Sequence, residues 1–159
     1  IGRLVGSEMC IRDRLTGHLQ FQESFVPSIL TLGRSTLDTE TQTVFLKDSL
    51  DIVDQDRESI ADVLKKSMHK RIVITHGTDS IAETASFLES FDLGKTIVLT
   101  GAMIPYSFGA SDALFNLGSA LAFAQVLSQG VYVAMNGKYY KAGMVKKNRS
   151  TGYFEAIQW

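Results

Sequence analysis

The sequence predicts an α/β domain in three α/β/α layers around a mainly parallel sheet. Two observations carry that prediction. Short β-branched runs, apolar on both faces, alternate with longer stretches whose apolar residues recur at helical spacing. The 159 residues, 45% hydrophobic and 21% charged, suit one soluble globular core of that kind.

Taken in chain order, "TVFLKDS" (Thr43 to Ser49) reads as a strand. In "DQDRESIADVLKKSM" the residues Ile60, Val63, Leu64 and Met68 fall on one helical face, and acids lead while lysines close, as the helix dipole favours. "RIVIT" (Arg71 to Thr75) is a buried strand, and "SIAETASFLESF" a helix with Ser80 and Glu83 in capping-box spacing and Ile81, Ala85, Leu88 and Phe91 inward. "TIVLT" (Thr96 to Thr100) is the next strand, followed by the loop "GAMIPYSFGASD", long enough to line a site. A helix from Ser111 to Leu127 shows Leu114, Leu117, Leu121 and Ala124, with Gly118 expected in close packing. "GVYVAMN" (Gly130 to Asn136) completes a Rossmann-like or flavodoxin-like pattern in a single domain.

A net charge of -1 gives no general reason to expect nucleic acid or an acidic membrane as partner. The single cysteine, Cys10, excludes an internal disulfide framework and a cysteine-based zinc site, and suits a reducing, cytoplasmic setting. No run reaches the roughly 18 apolar residues of a membrane span, because Asn116, Ser119 and Gln125 interrupt "ALFNLGSALAFAQVL". No basic start with an apolar run and cleavage site opens the chain, which does not begin with methionine. No metal or cofactor is implied. The first fourteen residues, "IGRLVGSEMCIRDR", show neither strand nor helix period and are expected to be a cloning or assembly scar, with residues 15–159 forming the domain.

The candidate site lies at "THGTDS", where a strand gives way to a helix. Ligands of parallel sheets gather at such carboxyl ends, beside unpaired helix amides. Thr78 and Asp79 there either cap the helix or hold a ligand, and Ser80 as cap would leave both free. His76 reads as a packed structural histidine. Lys138, Lys141, Lys146, Lys147 and Arg149 form a cationic run that is either solvated surface or part of a site.

"VITHGTDSIAETA" resembles the asparaginase family's H-G-T-D-S/T-x-x-E-T-A segment, "VLTGAMIP…SDALFNL" is similar to its G-A-M-x-P…S-D-x-x-x-N-L segment, and "DSLDI" to its S-x-D stretch. The match runs in order from about Leu15 to Ala156 and is nearest a form holding only the N-terminal α/β domain. The resemblance implies hydrolysis of L-asparagine, or of glutamine as a near relative, through an acyl-enzyme on threonine. By position Thr78, Asp79 and Lys147 match the family's catalytic threonine–aspartate–lysine set. Asp79 would also bind the substrate ammonium, Ser49 its carboxylate, and the Gly101–Ala102 main chain would lie beside the amide. A lysine near other cations or withdrawn from water can serve as a base at neutral pH. Family members assemble as dimers or tetramers, which leaves homo-oligomerisation open here.

The chain departs from the family at its start. The T-G-G-T turn that carries the nucleophile is absent, Thr16-Gly17-His18 being the only look-alike, and no tyrosine precedes Tyr106. The expectation is that the first central strand and its turn are lost and that activity is impaired. A non-catalytic amino-acid-binding module is the alternative, and a nucleic-acid role for the basic run, without aromatic interleaving, is the least favoured. The chain as written should therefore release little or no ammonia from asparagine, and restoring a strand-T-G-G-T start should raise the rate by orders of magnitude. Ammonia release by the chain as written, abolished by Thr78→Ala, would contradict this.

Overall fold

Three successive strands alternate their side chains between two separate apolar clusters, and this alternation builds the layers. Ile72 and Ile74, Ile97 and Leu99, and Val131, Val133 and Met135 enter one cluster; Val73, Val98, Tyr132 and Ala134 enter the other. A strand apolar at every position is the consequence, since neither face meets water. The structure is a computed structural model and describes residues 3–6, 10–12, 19–21, 24–104, 106 and 109–157, the first three segments as backbone only.

The elements run β1 (Arg3–Gly6), β2 (Cys10–Arg12), β3 (Leu19–Phe21), α1 (Val26–Leu32), β4 (Glu40–Thr43), a short 3-10 turn (Ser49–Asp51) and α2 (Asp54–Lys66). They continue with β5 (Arg71–Thr75), α3 (Ile81–Glu89), β6 (Thr96–Thr100), α4 (Ala113–Val126), β7 (Gly130–Met135), β8 (Lys138–Lys141), β9 (Val145–Lys147) and β10 (Phe154–Ala156). The main sheet has the order β4-β1-β5-β6-β7-β8, parallel except for the antiparallel β7–β8 pair. Helices α2 and α3 cover one face, through Ile60, Ala61, Leu64, Ile81, Ala85 and Leu88. Helices α1 and α4 cover the other, through Val26, Ile29, Ala113, Leu117, Ala120 and Ala124. The expected three-layer α/β/α domain is the observed one.

Several expectations are corrected. The strand expected at Thr43 to Ser49 lies earlier, at Glu40–Thr43, and the chain then runs irregularly into the 3-10 turn. Met68 does not share the face of Ile60 and Leu64: α2 stops at Lys66, and Met68 is 90% exposed. On α4 the buried stripe is Ala113, Asn116, Leu117, Ala120 and Ala124, while Leu114 turns outward over Gly33 of the α1 terminus. That helix is apolar nearly all round, so hydrophobicity alone selects no face, and alanines win because they let it lie close to the sheet. Gly118 is exposed, with no atom within 4 Å of where its Cβ would stand, so close packing is not its role. The sheet position between β4 and β5 is not vacant either. Arg3–Gly6 pairs in parallel with both β4 and β5, filling a central position despite its weak strand period.

The corrected face of α2 is testable. Leu64→Ala should lower the unfolding free energy by about 2–5 kcal/mol, whereas Met68→Ala should stay within about 0.5 kcal/mol of the parent in chemical denaturation.

Candidate functional site

The carboxyl ends of β5 and β6 are pressed together, and glycine makes this possible. His76 extends the pairing by one residue, its N–H donating to the Thr100 carbonyl at 2.8 Å. A Cβ on Gly101 would stand 2.3 Å from the His76 carbonyl oxygen and 3.3 Å from Thr78 Cγ2, so only glycine fits. Between the end of β5 and the start of α3, the chain presents His76, Gly77, Thr78, Asp79 and Ser80 along this seam.

Lys147 reaches the seam from β9. Its ammonium donates to Thr78 Oγ1 at 2.9 Å and to Asp79 Oδ1 at 2.8 Å. The lysine side chain is 14% exposed and that of Asp79 35%. Lys147 is therefore not a solvated member of the cationic run, unlike its exposed neighbour Lys146. Because Nζ is the donor, the Thr78 hydroxyl keeps its own hydrogen for a third partner. The half-open Asp79 carboxylate keeps room to accept a further cation.

Ser80 does not cap α3 with its side chain, contrary to the capping-box spacing. Its hydroxyl instead donates to the Ser49 carbonyl at 2.6 Å, pinning the 3-10 turn against the seam. Ser49 is buried there, and the Asp48 carboxylate closes the same turn by accepting the Leu50 N–H. The structure thus joins Thr78, Asp79 and Lys147 directly, and attaches Ser49 through Ser80. Gly101 sits against His76 and Thr78, and Ala102 follows it, packed toward the cluster under α4.

Beneath the seam runs a buried polar relay that the sequence reading missed. His76 Nδ1 donates to its neighbour's carbonyl, Gly77 O, at 2.8 Å, which leaves Nε2 to accept from Thr84 Oγ1 at 2.9 Å. Thr84 in turn accepts from Arg57 Nε at 3.1 Å, and Arg57 pairs with Asp54 at 2.9 Å. Burial, reinforced by the Arg57 charge, lowers the His76 pKa to about 4, while the Gly77 bond opposes the shift. The neutral ring fits a structural role. No local motif announces the relay, because its members come from three elements. Asn116 is likewise buried at a polar position of an apolar helix. Its Nδ2 donates to Gly101 O and to Asp112 Oδ2, both at 2.9 Å. Among the described residues no group of three or more His, Cys, Asp or Glu could hold a metal ion, and no helix is long and apolar enough to cross a membrane.

Comparison with known proteins concerns the chain and its fold as a whole. A family model described as "Asparaginase, N-terminal" matches residues 12–158. The chain is 37% identical to an L-asparaginase of Thermococcus kodakarensis over 127 residues, which are 76% of this chain and 38% of that one. It is 35% identical to a glutaminase-asparaginase of Acinetobacter glutaminasificans over 119 residues, 72% of this chain and 35% of that one. The solved structure of the thermostable T. kodakarensis L-asparaginase superposes with a TM-score of 0.85 at 30% identity, covering 99% of this chain and 51% of that one. The chain thus spans well under two thirds of the length of these relatives.

The relay makes stability depend on pH. An unfolded histidine takes up a proton near its ordinary value of 6.5, whereas folded His76 resists until about pH 4. Stability should fall as pH drops through that window, by on the order of 3 kcal/mol, and level off below it. His76→Asn should lack that contribution when denaturation is measured across the same pH range.

Proposed function

The chain belongs to the asparaginase family, and from that premise we propose that it is the amide-handling α/β domain of an enzyme that hydrolyses L-asparagine to L-aspartate and ammonia. The observation that carries this reading is the direct contact of Lys147 with both Thr78 and Asp79 at the carboxyl end of the sheet. Asp79 receives the substrate's α-ammonium on its open side, and Ser49, held at the seam by Ser80, receives the α-carboxylate. The Gly101–Ala102 main chain lies beside the side-chain amide. Thr78 passes a proton between the reacting groups and Lys147, along the hydrogen bond already present. The substrate is a small amide. Asparagine is favoured, and glutamine, one methylene longer, is separated from it by only about 1–3 kcal/mol in a pocket. The setting is cytoplasmic, in keeping with the single cysteine.

Residues 1–14 stand, in this proposal, in place of the family's own first strand and T-G-G-T turn, so that the grip is retained while the nucleophile is not. Arg3–Gly6 supplies strand backbone between β4 and β5, and the residues that follow it in sequence are Ser7, Glu8 and Met9 rather than threonine and glycines. The second reading follows from the same fact: a module that holds an amino acid without turning it over.

Calorimetry with L-aspartate separates the cases. The chain as written should bind it, and Asp79→Asn should weaken binding by about 30-fold or more, because the ligand's ammonium loses the carboxylate that pairs with it. In a chain whose residues 1–14 are replaced by a strand-T-G-G-T start, asparagine should release ammonia, and Lys147→Met should slow release by about 100-fold or more. Binding that is indifferent to Asp79→Asn would sink the proposal; binding without turnover in the restored chain would favour the module.

A further inference from the structure

We infer that Asn116 and Asn136 act as positioning residues that lock the Gly101–Ala102 turn and the Lys147 strand into one frame. This rests on the grip proposed for Thr78, Asp79 and Lys147. The hairpin β9–β10 that carries Lys147 forms its own two-stranded sheet, separate from the main one. Val145 and Phe154 pack it into the core, but no sheet ladder sets its height above the carboxyl ends of β5 and β6, and directional bonds are needed for that.

The bonds that do so can be followed atom by atom. Asn116 is buried on α4, and its amide donates to Gly101 O, the carbonyl of the turn after β6. A trans peptide is planar, so holding the Gly101 carbonyl toward Asn116 aims the Ala102 N–H the opposite way. The Asn116 side-chain oxygen accepts the Asn136 N–H at 3.2 Å. Asn136 Oδ1 then accepts the Phe154 N–H at 3.0 Å, and Phe154 lies opposite Lys147 in the β9–β10 register. Tyr140 adds a second tie to the same residue, donating to Phe154 O at 2.9 Å. On the other side of Asn116, Asp112 accepts the Met103 and Ile104 N–H groups at 3.0 and 2.9 Å, fixing the start of the loop after Gly101.

Asn136 also occupies a demanding backbone position. With φ of 56° at Asn136 and 77° at Gly137, the two residues form the primed turn between β7 and β8. Glycine or aspartate can hold that left-handed conformation at position 136. Only aspartate would also keep an oxygen for the Phe154 N–H. A residue needed merely for the turn should therefore tolerate both replacements, whereas a positioning residue should tolerate only aspartate.

The test compares Asn136→Gly and Asn136→Asp in the chain as written, using two readouts. One is calorimetric affinity for L-aspartate. The other is the NMR signal of the Lys147 side-chain ammonium, whose hydrogen exchange reports its bonds to Thr78 and Asp79. Asn136→Gly should weaken affinity and speed that exchange by about tenfold each, the loss of one buried hydrogen bond, while Asn136→Asp should stay within about twofold of the parent. Equal behaviour of the two variants overturns the inference. If Asn136→Gly does not fold, Asn116→Ser, which releases Gly101 O and the Asn136 N–H together, is held to the same expectations. If the parent chain binds no aspartate, the amino-acid grip fails as a reading, and the exchange of Lys147 alone decides whether the frame exists.

Discussion

The pair of hydrogen bonds from Lys147 to Thr78 and Asp79 is the constraint around which the molecule is arranged. It joins residues 69 and 68 positions apart in sequence, one on a small hairpin and two at a strand end. An ammonium so little exposed is tolerated only where a carboxylate and a hydroxyl compensate its lost hydration. Everything needed to bring these groups together is costly in local terms. A glycine must stand at 101 to let two strand ends touch, and a left-handed asparagine must turn β7 into β8 so that the chain can double back toward the seam.

The apolar layers supply the rigidity that makes such a contact possible. With helices against both faces, β5, β6 and β7 have side chains locked on either side, and their carboxyl ends cannot shift independently. Several polar groups buried among these layers, His76, Thr84 and Lys95 among them, are hydrogen-bonded. The relay from Arg57 through Thr84 and His76 to Gly77 O ties α2 and α3 to the residue preceding Thr78. Lys95, also buried, donates to the Ser67 and His69 carbonyls at and beyond the end of α2, satisfying acceptors of the segment that leads into β5. Both clusters of bonds hold the scaffold; neither touches the open side of Asp79.

The sequence foretold the layers well because each signal was local. "RIVIT", "TIVLT" and "GVYVAMN" are apolar on both faces, and only a covered parallel sheet gives such runs a stable place. It foretold α4 poorly, since a helix rich in leucine and alanine offers no polar face to orient it, and the stripe that packs contains the small residues and Asn116. Ser80 illustrates a second limit. Its spacing to Glu83 satisfies the capping rule, yet a carbonyl from Ser49, distant in sequence, competes for the hydroxyl and wins. The meeting of Lys147 with Asp79 could not be read from spacing either, and came from resemblance to a family. The Asn136-Gly137 pair, by contrast, is a hairpin signal legible in the sequence itself.

The most direct measurement is a crystal structure of the chain as written, grown or soaked with saturating L-aspartate. The account predicts density for one amino acid at the carboxyl ends of β5 and β6. Its ammonium should lie against the free side of Asp79, its α-carboxylate toward Ser49, and its side-chain carboxylate, standing where the amide of asparagine would, beside Thr78 and the Gly101–Ala102 turn. A ligand bound elsewhere, or an empty seam at saturation with Lys147 still holding Thr78 and Asp79, would contradict it.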